Sequence, residues 1–194
     1  MTSSFLRTVL LPTGIVASLL LVSCGGRQET ACTQQYWDGT VGVCLPEGWT
    51  VVERERLDQM GVPEEVVAAF QTAQPVSGQF PNVTVTREAL AQPVTGADYS
   101  KSAIRSVGTL PGYELIDSRP ATVDGQEVTF HIYSAQPVTD QPRSRFYQVS
   151  AVSGSGAGFT ATAFTPLTVT PALEQQVTAI VTSLTFTEPE AAKE

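Results

Sequence analysis

Three cysteines and a single histidine are the residues of this chain with the widest chemical repertoire. A thiolate can attack a substrate, hold a metal or form a disulfide. An imidazole is the usual base beside a nucleophile. His131 sits in Val128-Thr129-Phe130-His131-Ile132-Tyr133. Strand alternation puts Val128, Phe130 and Ile132 on one face, read as core, and Thr129, His131 and Tyr133 on the other. His131 is therefore expected at a surface or under a covering helix. No Gly-x-Ser-x-Gly elbow accompanies it, and Asp117 and Asp124 complete no triad in sequence. The cysteines lack the Cys-x-x-Cys spacing of zinc or redox sites. Gly154, Gly156 and Gly158 superficially suit a phosphate-cradling loop, but such a loop must open a helix. A strand follows here, so the run is read as a hairpin turn. Glu64 and Glu65 are adjacent on an expected helix start, where acids are favourable without any catalytic role. The reading is a chain with no catalytic residues, no metal site and no cofactor.

The cysteine with the clearest context is the first. Arg7 is the only charged residue before Cys24, and Val9 to Val22 is almost wholly apolar. That run is shorter than the roughly 20 apolar residues a membrane span needs. Positive start, apolar run and small residue before a cleavage point are the zones of an export signal. Leu21-Val22-Ser23-Cys24, followed by Gly25-Gly26, resembles the lipobox of bacterial prolipoproteins at every position. The resemblance implies a signal peptide over 1–23, a diacylglyceryl group and further acyl (palmitate-type) chains on Cys24, and cleavage before it. Two or three chains at about 0.8 kcal/mol per buried methylene hold far better than one. Gly25 stands where an inner-membrane retention aspartate would be. By resemblance to that sorting rule, an outer membrane is favoured in a two-membrane cell.

With Cys24 lipidated, Cys32 and Cys44 form an even pair in an oxidising compartment, and a disulfide is expected. Removal of residues 1–23 takes only Arg7 from the charged set, leaving ten basic against 19 acidic residues, a formal charge of −9. That balance argues against nucleic acid, which demands a basic face, and against adhesion to anionic lipid by charge alone. Attachment is expected through the lipid. Residues 24–31 read as a lipidated tether, 32–186 as one domain and 187–194 as an acidic flexible tail.

These candidates must be positioned by a chain that alternates strands and helices. Val41–Leu45 and Trp49–Arg56 are expected strands around Pro46-Glu47-Gly48. Pro63 is expected to open a helix over Glu64 to Thr72, with Val66, Val67 and Phe70 as its apolar stripe. Asn82–Glu88 alternates as a half-buried strand. A second helix is expected from Asp98 or Ser100 to Val107. Tyr113–Val123 and Gln126–Ala135 flank Asp124-Gly125, a strong hairpin signal because both turn positions want positive φ. Arg145–Val152 and Phe159–Phe164 follow as strands. Thr170 is expected to cap a third helix from Pro171 to Ser183. The sum is α+β, an α/β/α sandwich with a mainly antiparallel curved sheet and about three helices.

Several of these segments are familiar together. Cys-Leu-Pro-Glu-Gly-Trp at 44–49 resembles the Pro-x-Gly-Trp opening of the PsbP/DcrB-like families. Pro81-Asn82-Val83-Thr84-Val85, Pro111-Gly112-Tyr113, Gly125 and Ile180-Val181-x-Ser183-Leu184-x-Phe186 match later features in the same order. The resemblance covers roughly residues 41–186 and implies the sandwich fold. It implies no single function, since that superfamily spans photosystem accessory subunits, a nuclear transport factor and envelope lipoproteins. The lipobox points to the envelope branch.

The function expected is that of a lipid-anchored, non-catalytic accessory or binding protein for another envelope component, with no nucleic acid partner. The alternative is a ligand-binding lipoprotein with a pocket between sheet and helices. Candidate surface contacts are Tyr36 and Trp37, inside the expected disulfide loop, and Arg143 and Arg145, at the end of the polar connection Gln136–Arg145. Packing for the aromatics and a plain hairpin loop for the arginines are the bland alternatives.

Overall fold

The computed structural model describes residues 32–189. The signal segment, Cys24, the tether up to Ala31 and the end of the acidic tail lie outside the described residues. The elements in order are β1 (Gln34–Trp37), β2 (Gly42–Leu45), β3 (Trp49–Val51), α1 (Arg54–Gln59), β4 (Val66–Thr72), β5 (Asn82–Ala89), α2 (Gly96–Val107), β6 (Glu114–Val123), β7 (Gln126–Ala135), β8 (Ser144–Val152), β9 (Ala157–Pro166) and α3 (Pro171–Thr182). Strands β3 to β9 form a seven-stranded sheet in the order β3-β4-β5-β9-β8-β7-β6, and every pair is antiparallel. The short β1–β2 hairpin and α3 pack on one face, and α2 packs over β7 and β8 on the other. This is the expected α/β/α sandwich.

The core lies between the sheet and the α3 layer. Phe70, Val83, Val85, Phe130, Tyr147, Val149, Phe159, Ala161 and Ala163 meet Val177, Ile180, Val181 and Leu184 there. Strand alternation generates that face: Val83 and Val85 are fully buried while Thr84 and Thr86 are only half-buried on the reverse. Helix α3 starts as its sequence dictates. The Thr170 hydroxyl accepts from the Leu173 amide, and Pro171 stands at the helix start where its missing N–H costs nothing. Asp124 and Gly125 both adopt positive φ, at 47° and 75°, in the β6–β7 hairpin. Gly154 and Gly156 lie in the hairpin turn between β8 and β9, closed by the Ser153 hydroxyl accepting from the Ala157 amide, and Gly158 already belongs to β9.

Three expectations fail, all in the first half. The segment expected as a helix over 64–72 is strand β4, paired with both β3 and β5. A short apolar run fits either period, and Val66, Val67, Phe70 and Thr72 are good strand formers. Their neighbours in the sheet decided. The strand expected over 49–56 stops at Val51, and Arg54–Gln59 turns into the short helix α1, burying Leu57. Helix α2 is capped by Thr95, whose hydroxyl accepts from the Asp98 amide, rather than by Asp98 or Ser100. Ser100 is instead buried and bonds the Thr129 amide of β7, docking helix to sheet. One strand, β1, was not expected, and it carries Tyr36 and Trp37.

Candidate functional site

The face of the sheet opposite α3 is only partly covered. Helix α2 lies over β7 and β8, and beside it the reverse faces of β5 and β9 stay open. Between helix and sheet runs a groove of about 1050 Å³. Its floor is made by Thr86 of β5, Thr160 and Thr162 of β9, Gln148 of β8 and Tyr133 of β7. Register explains the row: Gln148 stands opposite Thr162, and Thr86 opposite Thr160. One wall is the face of α2 carrying Tyr99, Ser102, Ala103 and Ser106. Leu90 and Val94 line the other side, and Glu65, Arg87, Glu88, Asp98 and Arg105 mark the rim.

Tyr99 anchors the helix wall. Its hydroxyl donates to Glu88 across 3.1 Å. Its ring lies against Gly158, where any Cβ would come within 2.4 Å of the ring. That contact explains the glycine at this strand position. Burial raises the Tyr99 pKa, and the nearby Glu88 charge adds to the rise.

Behind the groove lies an aromatic row. His131 is buried, and its Nε2 is 3.1 Å from the Tyr113 hydroxyl. The Tyr133 ring packs against His131 at 5.3 Å and stacks on Phe146 at 5.1 Å, which meets Phe164 edge-on at 5.7 Å. The Nδ1 of His131 is buried without a partner among the described residues. Burial alone depresses the His131 pKa; burial first, and then the neighbouring Tyr113, raises that of Tyr133. His131 is thus the helix-covered sheet residue that strand alternation allowed, opposite Ser118 in the sheet and hydrogen-bonded to Tyr113.

The depressed pKa has a consequence for stability. In the window below pH ~6.5 the unfolded chain takes up the proton that folded His131 resists, so stability falls as pH falls and the loss levels off below the folded pKa. His131→Gln keeps a hydrogen-bonding partner for Tyr113 and does not titrate. Its unfolding midpoint is expected to change less between pH 7 and pH 5 than that of the parent. Equal changes in the two proteins would rule out His131 as the source.

The residues singled out in the sequence go elsewhere. Cys32 and Cys44 are bridged, with Cα atoms 5.4 Å apart. Tyr36 is half-buried with its ring edge-on to Phe70 at 4.9 Å, and Trp37 is half-buried against Gly42. Arg143 donates to the Gly112 carbonyl and the Glu114 carboxylate, tying the loop after β7 to the start of β6. Arg145 turns to the α3 face, reaching Tyr147 and, at 3.9 Å, Glu174. All four are committed to neighbours within the fold, on surfaces away from the groove lining. The groove lies where the alternative reading put a pocket, between sheet and helix, but none of its lining residues was among the candidates. Its signal in the sequence was the period-two threonines at 84/86 and 160/162, but nothing local says that β5 and β9 are neighbours. Among the described residues no three His, Cys, Asp or Glu side chains gather as metal ligands, and no helix is long and apolar enough to cross a membrane.

No protein-family model and no curated protein is found to match this chain. Solved structures do. The cyanobacterial PsbP (CyanoP) of Synechocystis sp. PCC 6803 is similar with TM-score 0.53 at 19% identity, covering 86% of this chain and 99% of that one. LpqN of Mycobacterium tuberculosis, described as involved in cell envelope biogenesis, is similar with TM-score 0.58 at 16% identity, covering 80% of this chain and 90% of that one. The Ran-binding protein Mog1p of Saccharomyces cerevisiae is similar with TM-score 0.50 at 10% identity, covering 79% of this chain and 93% of that one. The likeness is one of fold: the domain has the fold of these structures.

Proposed function

Starting from a PsbP-like domain with an open polar groove, we propose that this protein is a lipid-anchored envelope protein with a non-catalytic binding role toward another envelope component. One observation carries the anchor. The Cys32–Cys44 bridge uses two of the three cysteines and leaves Cys24 as the odd one, in lipobox register Leu21-Val22-Ser23-Cys24. A disulfide also fits an exported protein. The binding role is supported by what structures of this fold are described as doing: one binds Ran, and one is involved in cell envelope biogenesis. Seven residues lie between Cys24 and Cys32, eight steps of the chain, so the tether spans at most about 28 Å at ~3.5 Å per step. Cys32 leads into the β1–β2 hairpin on the α3 side, opposite the groove. This arrangement would leave the groove clear of the membrane to which Cys24 is tied.

The test is Cys24→Ser with cell fractionation and mass analysis of the N-terminal peptide. The parent is expected in the membrane fraction, beginning at an acylated Cys24. The variant is expected to lose the acyl mass and the processing. If it is processed normally and stays in the membrane, the proposal is wrong. In a two-membrane cell, Gly25 after Cys24 favours the outer membrane, which density separation of the two membranes reads directly.

A further inference from the structure

We infer that the groove between α2 and the sheet binds a neutral carbohydrate chain. This deepens the binding role proposed above by naming the partner's chemistry, and it does not depend on the lipid anchor. The floor carries the argument. Thr86, Thr160 and Thr162 put half-buried hydroxyls and no charge on the floor, the Thr160 hydroxyl also bonding Ser150 at 2.8 Å, while Gln148 is buried beneath them with its amide turned to Ser150. A hydroxyl both donates and accepts, and so does each hydroxyl of a sugar, so the remaining capacity of the threonine row can bond a sugar without either needing an ion. The rim holds three acids, Glu65, Glu88 and Asp98, against two arginines, Arg87 and Arg105, which offers no strong field of either sign. Phosphates and polyanions therefore gain little here.

Two other ligand classes fit less well. An extended peptide is usually captured by adding a strand to a free sheet edge. The floor here lies on β5, β9 and β8, central strands whose backbone groups are spent on neighbours at both sides. An apolar ligand would strip water from the half-buried threonine hydroxyls without replacing their hydrogen bonds, which costs rather than gains. A sugar avoids both problems because it bonds to side chains. Next along the same face, one strand pair on, the half-buried rings of Phe146 and Phe164 stand opposite each other. They supply an apolar surface for the flat face of a sugar ring, beside the hydroxyl row. The groove's size, about 1050 Å³, accommodates several linked rings.

The test uses the protein as the cell processes it, kept in a detergent without a sugar headgroup. Saturation-transfer NMR would be recorded on cellohexaose, maltohexaose, mannohexaose and the β-1,4 hexamer of N-acetylglucosamine. At least one is expected to receive saturation. Ser102→Trp, on an exposed position of α2, fills the groove from the wall and is expected to abolish the signal. Thr162→Val, which keeps the shape and removes one hydroxyl, is expected to weaken binding about tenfold. Circular dichroism of both variants guards against unfolding. Transfer to none of the four hexasaccharides overturns the inference, and so does transfer that survives both substitutions. Crosslinking in cells separates the two claims. A protein crosslink that disappears with Ser102→Trp, in the absence of any sugar signal, overturns the carbohydrate assignment while leaving the binding role standing.

Discussion

Phe70→Ala is expected to lower the unfolding free energy by about 3–5 kcal/mol, the usual cost of truncating a buried phenylalanine. Phe70 is completely buried, stands opposite Val51 and Val83 in the sheet, and takes the edge of the Tyr36 ring. Removing its ring leaves a cavity where three elements meet: the β1–β2 hairpin, β4 and β5. Native domains are stable by only about 5–15 kcal/mol, so the variant should sit near the limit of folding. Gln71→Ala, one residue on and facing the other side of β4, is the control and should stay within about 0.5 kcal/mol. Urea unfolding followed by circular dichroism measures both. Equal effects at the two positions would contradict strand alternation in β4, where the apolar pattern alone had suggested a helix.

Opening the Cys32–Cys44 disulfide is expected to cost about 3 kcal/mol, because the unfolded chain regains the freedom of a loop of ~13 residues. The bridge links the first described residue to β2, opposite Gln35 of β1. Strand β2 is held to α3 in turn, since the Cys44 amide donates to the Ser183 hydroxyl at 2.8 Å and Gly42 pairs with Thr185. The Cys32→Ser/Cys44→Ser double variant should therefore melt lower, by about 2–4 °C per kcal/mol lost for a domain of this size. Reductant should lower the midpoint of the parent and leave that of the double variant where it is. A parent whose midpoint ignores reductant, or whose peptide map shows two free thiols, would contradict the bridge. The seven-stranded sheet does not include β1 or β2, so the loss is expected to fall first on the hairpin and its contact with α3.

What the sequence determined by itself were the features with a local physical cause. The Asp124-Gly125 turn follows from a backbone requirement for positive φ that few residue pairs meet. The start of α3 follows from Thr170 and Pro171, which cap and open a helix from within four residues. The core faces of β5, β7 and β9 follow from period-two alternation, and the parity of the cysteines led to the Cys32–Cys44 pairing. Tertiary structure decided what has no local cause. Val66 to Thr72 satisfies both helical and strand patterns, and the ladders to β3 and β5 select the strand. Arg145 looks like a loop-end surface charge until α3, 29 residues later, brings Glu174 to it. The groove needs Thr86 and Thr160 side by side although 74 residues separate them. No sequence window spans that distance, and the order β5-β9-β8 that creates the hydroxyl floor is set by how the whole sheet closes over one apolar face.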